Sequence, residues 1–231
     1  MRCWKLKCVV LLAAGACLSL TGRSHGALVY LDANKATNTG AAASFTAGTN
    51  DNADDNLWSR RTTFGVNGDI FQSGDGNGED APEIVTTIPG LIPLAAYRVY
   101  VHFWDGSGTA PDWNIRGGFA PGVNTLFANP ADAADIGATA AVLASSLTYV
   151  TNPTPFTEAD RTQFAGLIGM ASASSLGTLA VYINDLPSTI GVNNRSWYDG
   201  VSYELVPEPA SVAMLMFAAP ALAALRRRRV A

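Results

Sequence analysis

Residues 97–104 constrain the fold more than any other stretch of this chain. Tyr97, Val99, Val101 and Phe103 alternate with Arg98, Tyr100, His102 and Trp104. Side chains repeat every two residues in a strand and every 3.6 in a helix, so this is the pattern of a strand with one apolar face. The first set is expected to face a core. Trp104 falls on the polar side and opens the loop Asp105-Gly106-Ser107-Gly108, which predicts an exposed indole.

Four further segments carry strand patterns: residues 28–32, 83–88 (closed by Pro89-Gly90), 179–184 and 201–205. Between them lie Gly, Asn, Asp and Pro clusters, richest at residues 50–56 and 73–80, the composition of turns. Helical signals are short. Residues 130–136 could form a turn or two capped by Asn129, and residues 157–164 another capped by Thr157. Many short strands and few helices predict an all-β fold, an antiparallel β-sandwich of jelly-roll type.

The two ends of the chain have a different character. Arg2, Lys5 and Lys7 precede the apolar residues 8–20, and Ser24-His25-Gly26 offers small residues for signal peptidase, so a cleaved signal helix over residues 1–26 is expected. A lipoprotein signal using Cys17 is the alternative. At the other end, residues 212–225 carry no charge, contain Pro220, and run into Arg226-Arg227-Arg228-Arg229. A helix that spans hydrocarbon alone needs roughly 20 apolar residues, so this run is short for a permanent anchor. Its arginines place the body of the chain outside the cytoplasm by the positive-inside rule.

Pro207-Glu208-Pro209, the apolar segment after it and the terminal arginines resemble the PEP-CTERM sorting signal of Gram-negative, exopolysaccharide-producing bacteria. The resemblance implies recognition of Pro207, Glu208 and Pro209 by exosortase, a membrane-embedded cysteine protease. It also implies a transient hold on the inner membrane, removal of the tail (residues 207–231), and delivery to the cell surface or extracellular matrix. It covers about a tenth of the chain and says nothing of the body.

The body, residues 27–206, is long enough for one domain with a full core. All three cysteines, Cys3, Cys8 and Cys17, precede it, so it has neither disulfide nor thiolate chemistry. It contains eighteen Asp and Glu against seven Lys and Arg, a net charge of −11 where the whole chain has −4. So acidic a domain lacks the basic face that nucleic acid requires. Within it, Trp197-Tyr198-Asp199-Gly200-Val201-Ser202-Tyr203-Glu204 resembles the closing strand of galactose-binding-like and carbohydrate-binding-module jelly rolls, which pairs with the first strand, here residues 28–32.

Residue chemistry excludes more than it suggests. His102 is the only histidine of the body, and there is no Gly-x-Ser-x-Gly elbow and no phosphate-binding glycine loop, so catalytic triads, zinc hydrolases and deaminases lack their parts. No enzymatic activity and no cofactor are expected. A carboxylate pair for glycoside hydrolysis stays open only because carboxylates are abundant. Two loops could supply oxygen ligands to a structural calcium ion: Asp51, Asp54, Asp55 and Asn56, or Asp75, Asn77, Glu79 and Asp80. Trp58, Trp104, Trp113 and Trp197 are the candidates for stacking on a glycan, with Asp105, Asp112 and Arg116 beside them; filling the core is their alternative role. The expected function is that of a structural or exopolysaccharide-associated surface protein, with a carbohydrate-binding module and then a surface glycoside hydrolase as alternatives.

Overall fold

The computed structural model describes residues 27–33, 38–39, 43–44, 57–62, 65, 69–73, 80–105, 113–143, 157–158, 161–185 and 196–207. Both terminal signals, apart from Val206 and Pro207, lie outside them. So do Asp75, Asn77 and Glu79 of one calcium loop and the whole of the other. Ala27–Leu205 forms one compact unit. Among the described residues every regular element is a strand, and no helix is long and apolar enough to cross a membrane.

In chain order the strands are β1 (Val29–Asp32), β2 (Asn38–Thr39), β3 (Ala43–Ser44), β4 (Trp58–Thr62), β5 (Asp69–Ser73), β6 (Ile84–Ile88), β7 (Ala96–Asp105) and β8 (Asn114–Ala120). They continue as β9 (Val123–Ala128), β10 (Thr139–Ala140), β11 (Val142–Leu143), β12 (Thr157–Glu158), β13 (Arg161–Ser172), β14 (Leu179–Asn184) and β15 (Ser196–Leu205). They make two sheets, consistent with a β-sandwich. The larger runs β11-β13-β7-β15-β5-β4-β3, with β1 on β15 and β12 on β13; the smaller runs β10-β9-β8-β14-β6-β2. Pairing is antiparallel apart from two short parallel contacts, β3 with β4 and β9 with β10, so the sheets are mixed rather than purely antiparallel.

The alternation of residues 97–104 sets the core. Tyr97, Val99, Val101 and Phe103 are buried on one face of β7, in a cluster with Phe71, Phe164, Tyr198 and Val201 of the larger sheet and Ile84, Ile88, Ile115, Phe127, Val181 and Ile183 of the smaller. Within this apolar layer Thr86 Oγ1 on β6 and the hydroxyl of Tyr198 on β15 are hydrogen-bonded at 2.6 Å. Burial at that position raises the phenol pKa, which keeps the proton the bond needs.

The first strand pairs with the last, Val29 opposite Tyr203 and Asp32 opposite Gly200, as the closing-strand pattern anticipates. Where a helical turn is expected over residues 157–164, the described residues are strand: Thr157 and Glu158 pair with Thr162 and Arg161, and Phe164 continues β13 opposite Phe103. The reward there is burial of Phe164, which stacks on Phe103 with ring centroids 5.9 Å apart, and tertiary packing of this kind outweighs local propensity. Residues 130–137 form a run of turns rather than a helix. Asn129 is their cap, its Oδ1 accepting from the N–H groups of Ala131 and Asp132 at 2.7 and 3.2 Å.

Candidate functional site

The second half of β7 and the first half of β15 are buried on both faces, whereas the first half of β7 alternates between buried and half-buried. A second buried layer therefore covers part of the far face of the larger sheet. Its apolar members are Ile70, Trp104, Trp113 and Trp197, a cluster separate from the main core. Its polar members include His102, Gln163, Asp199 and Ser202.

Register assembles this layer from five strands. Trp104 stands directly opposite Gln163 on β13 and opposite Trp197 on β15; Trp197 stands opposite Gln72 on β5, and Gln72 opposite Ser59 on β4. One row of side chains thus runs across the sheet. Alternation from Trp197 puts Asp199 on the face of Trp104, and the ladder then shifts between Tyr198 and Gly200, a bulge whose extra residue lets Val201 join Tyr198 in the core and turns Ser202 toward His102. Gly200 sits at φ 150°, and a β-carbon there would lie 2.4 Å from the Leu31 carbonyl oxygen. Only glycine allows β1 to close onto the bulge.

Asp199 is the centre of the polar network. Its Oδ2 accepts from Trp104 Nε1–H at 3.0 Å and from the side-chain amide of Gln163, while its backbone carbonyl accepts from the Tyr30 hydroxyl at 2.5 Å. A buried carboxylate is stable only with such donors. The indole of Trp197 lies beneath two guanidinium groups, Arg61 at 4.5 Å and Arg161 at 4.7 Å from its ring centroid, and 4.4 Å from the ring of Trp113. Cations over an indole face are attracted by its quadrupole. Two positive groups therefore sit on the same sheet face as the carboxylate.

His102 and Ser202 form a pair 2.7 Å apart between Nε2 and Oγ, with the ring of Tyr30 edge-on to the imidazole at 5.4 Å. A serine beside a histidine is the geometry of an activated nucleophile. Two observations argue against that role. Both side chains are fully buried, and burial pushes the imidazole down to about 3, only partly offset by the hydrogen bond the ring donates to the Gln163 side chain. A base so weak is mismatched to proton abstraction near neutrality. The pair reads as a satisfied buried contact.

The tryptophans are not an exposed platform. Trp104, expected on the surface, is 1% exposed because the second layer covers the face that the local pattern marks as polar. Trp113 and Trp197 are buried beside it, and Trp58 belongs to the main core, its Nε1–H donating to the Pro82 carbonyl at 2.8 Å. Asp105 is also turned inward. It accepts from the Trp113 backbone N–H at 3.2 Å and from the Asn129 side chain. Arg116 is half-buried on β8, and Asp112 lies outside the described residues.

Among the described residues no three His, Cys, Asp or Glu side chains group as a metal site. Asp80 is exposed, and near it lies Asp185, whose carboxyl accepts from the Ala81 N–H at 2.9 Å and is pushed up to about 6 by burial. Pro207 is exposed, while Glu208 and Pro209 lie outside the described residues.

Gln163, Asp199 and Ser202 could not be singled out from the sequence. They lie far apart along it and meet only through strand register and the β15 bulge. The pairing of residues 197–204 with the first strand was the one signal available. No protein-family model matches the chain, and no curated protein matches its sequence.

Proposed function

We propose that the chain is an exported, non-catalytic surface or matrix protein of an exopolysaccharide-producing bacterium, delivered by exosortase, with a β-sandwich body of jelly-roll type. The observation that carries the reading is the order of parts at the C-terminus: Pro207-Glu208-Pro209, an uncharged run over residues 212–225, and four arginines. The pairing of first and last strands supports the jelly-roll assignment. A structural rather than catalytic role is favoured by the state of His102, which is buried and neutral near physiological pH. Burial of all four candidate tryptophans disfavours a glycan-stacking groove built on them.

The sorting reading is tested in the host by replacing Pro207-Glu208-Pro209 with three alanines. The expected outcome is retention of the full-length chain in the inner membrane and loss of the surface or matrix form. Unchanged processing and final location would sink the proposal. A glycan array probed with the full chain is expected to give no signal above background.

A further inference from the structure

One end of the sandwich combines exposed apolar side chains with an absence of charge. Residues 89–95 join β6 to β7 and residues 173–178 join β13 to β14; neither connection contains a charged residue, in a body that carries −11. The two are tied together by Leu91 N–H to Gly177 O and Ala173 N–H to Ala95 O, each 2.9 Å. Ile92, Leu94 and Leu176 project from them, 57%, 71% and 86% exposed. The nearest charges along β7 and β15, Arg98 and Glu204, neutralise one another in an ion pair.

These side chains are held in place. Ala95 N–H donates to Ile92 O at 3.2 Å, closing a turn with Pro93 and Leu94 at its centre, and Leu94 adopts φ 64°. That conformation normally falls to glycine or asparagine, and a leucine held there is strained. Strain retained at an exposed apolar tip points to a use for the tip. Leu176 is fixed in a similar way, by Gly177 N–H to Ser174 O at 3.0 Å and by Ser174 Oγ accepting from the N–H groups of Leu176 and Thr178 at 3.2 Å.

Both apolar terminal segments of the sequence join the body at this end. β15 finishes at Leu205 opposite Tyr97, and β1 starts at Val29 opposite Tyr203. The uncharged run of the tail begins at Val212, seven residues past Leu205. An extended chain covers at most about 3.6 Å per residue, so this link reaches no more than roughly 25 Å. While the tail is in a membrane, the uncharged end of the sandwich is confined to the layer next to the lipid. Tethering raises its effective concentration there, so a small apolar surface is enough.

We infer that Ile92, Leu94 and Leu176 form a lipid-contacting tip that seats this end of the sandwich on the bilayer surface while the C-terminal tail holds the chain there. The inference rests on the membrane-held tail of the proposed function. Three aliphatic tips suit shallow, reversible insertion at the headgroup boundary, the regime of weak interfacial anchors. Their lack of charge also avoids bringing the acidic body's repulsion to bear on anionic lipid.

The test uses the full chain with Cys3, Cys8 and Cys17 changed to serine, reconstituted in vesicles of phosphatidylethanolamine and phosphatidylglycerol containing a spin-labelled quencher lipid. An environment-sensitive fluorophore is placed at one of three positions: Ser175→Cys at the tip, Ala134→Cys in the exposed connection at the far end, and Ala218→Cys in the tail. The expected result is a blue shift and quenching at 175 and 218 and neither at 134, with the signal at 175 lost in Leu94→Glu/Leu176→Glu while that at 218 persists. Quenching at 218 without quenching at 175 overturns the lipid tip and leaves the tail reading intact. Quenching at neither position removes both, and quenching at 175 alone keeps the tip and removes the tail. A concentration-dependent shift at 175 without vesicles overturns the lipid assignment in favour of a second copy of the chain.

Discussion

Trp104 Nε1–H points at Asp199 Oδ2 from the neighbouring strand, 3.0 Å away and with neither residue more than 1% exposed. This bond joins the aromatic and the polar halves of the layer on the far face of the larger sheet. Asp199→Ala leaves the donors of Trp104 and Gln163 without an acceptor, and an orphaned buried donor is costly. The expected loss is roughly 2–4 kcal/mol in denaturant unfolding. Asp199→Asn keeps one acceptor oxygen and should lose less.

The guanidinium of Arg161 over Trp197 makes a second testable pair. A double-mutant cycle of Arg161→Met and Trp197→Leu should show a coupling of about 1–2 kcal/mol, the range of a cation over an indole removed from water. Zero coupling would mean that the two residues merely share a location.

Closure of β1 onto β15 depends on Gly200. Gly200→Ala places a β-carbon against the Leu31 carbonyl and the Tyr30 hydroxyl, at 2.4 and 2.9 Å, on a backbone already at φ 150°. We expect a loss of roughly 2–4 kcal/mol, within the range of severe backbone clashes, and faster amide exchange across β1. Gly90→Ala is the control. Its φ is 72° but nothing lies within 4 Å of the added carbon, so only the conformational cost of about 1 kcal/mol applies.

Two buried groups give the stability an unusual pH profile. His102 is lowered to about 3, so below the ordinary histidine pKa of about 6.5 the unfolded chain binds a proton that the folded one refuses, and stability falls as pH falls. Asp185 is raised to about 6, so between about 4 and 6 the folded chain holds a proton that the unfolded one has released, and stability falls as pH rises. The two slopes, about 1.4 kcal/mol per pH unit each, oppose one another in that window. From these two groups we expect a plateau between about pH 4 and 6. Asp185→Asn should replace it with a decline on acidification, whereas His102→Gln should make the protein gain stability as pH falls from about 6 to 4. Denaturant midpoints across the range give the readout.

The strands with strict alternation were legible in the sequence because one of their faces meets solvent along at least part of their length. Tyr97, Val99, Val101 and Phe103 sit in the core as that pattern requires. The pattern misleads from His102 onward, where both faces are buried and polarity no longer marks the outside. β8 and β13 are glycine-bearing strands whose signal is diluted at Gly117, Gly118, Gly166 and Gly169. At Gly166 a side chain is forbidden by the ring of Phe127, 2.5 Å from where a β-carbon would stand. Such a constraint exists only once the two sheets face each other.

The strand-rich body, its acidity, its lack of thiol chemistry and the character of its two ends are readable from the order of residues alone. These are properties of composition and of short-range order along the chain. Tertiary structure alone decided that Trp104 is buried and that Asp199, Gln163, His102 and Ser202 meet. It also decided that Ile92, Leu94 and Leu176 gather at the end where the chain enters and leaves the sandwich. Each of these depends on register between strands distant in sequence, and a shift of one residue would turn every side chain to the opposite face.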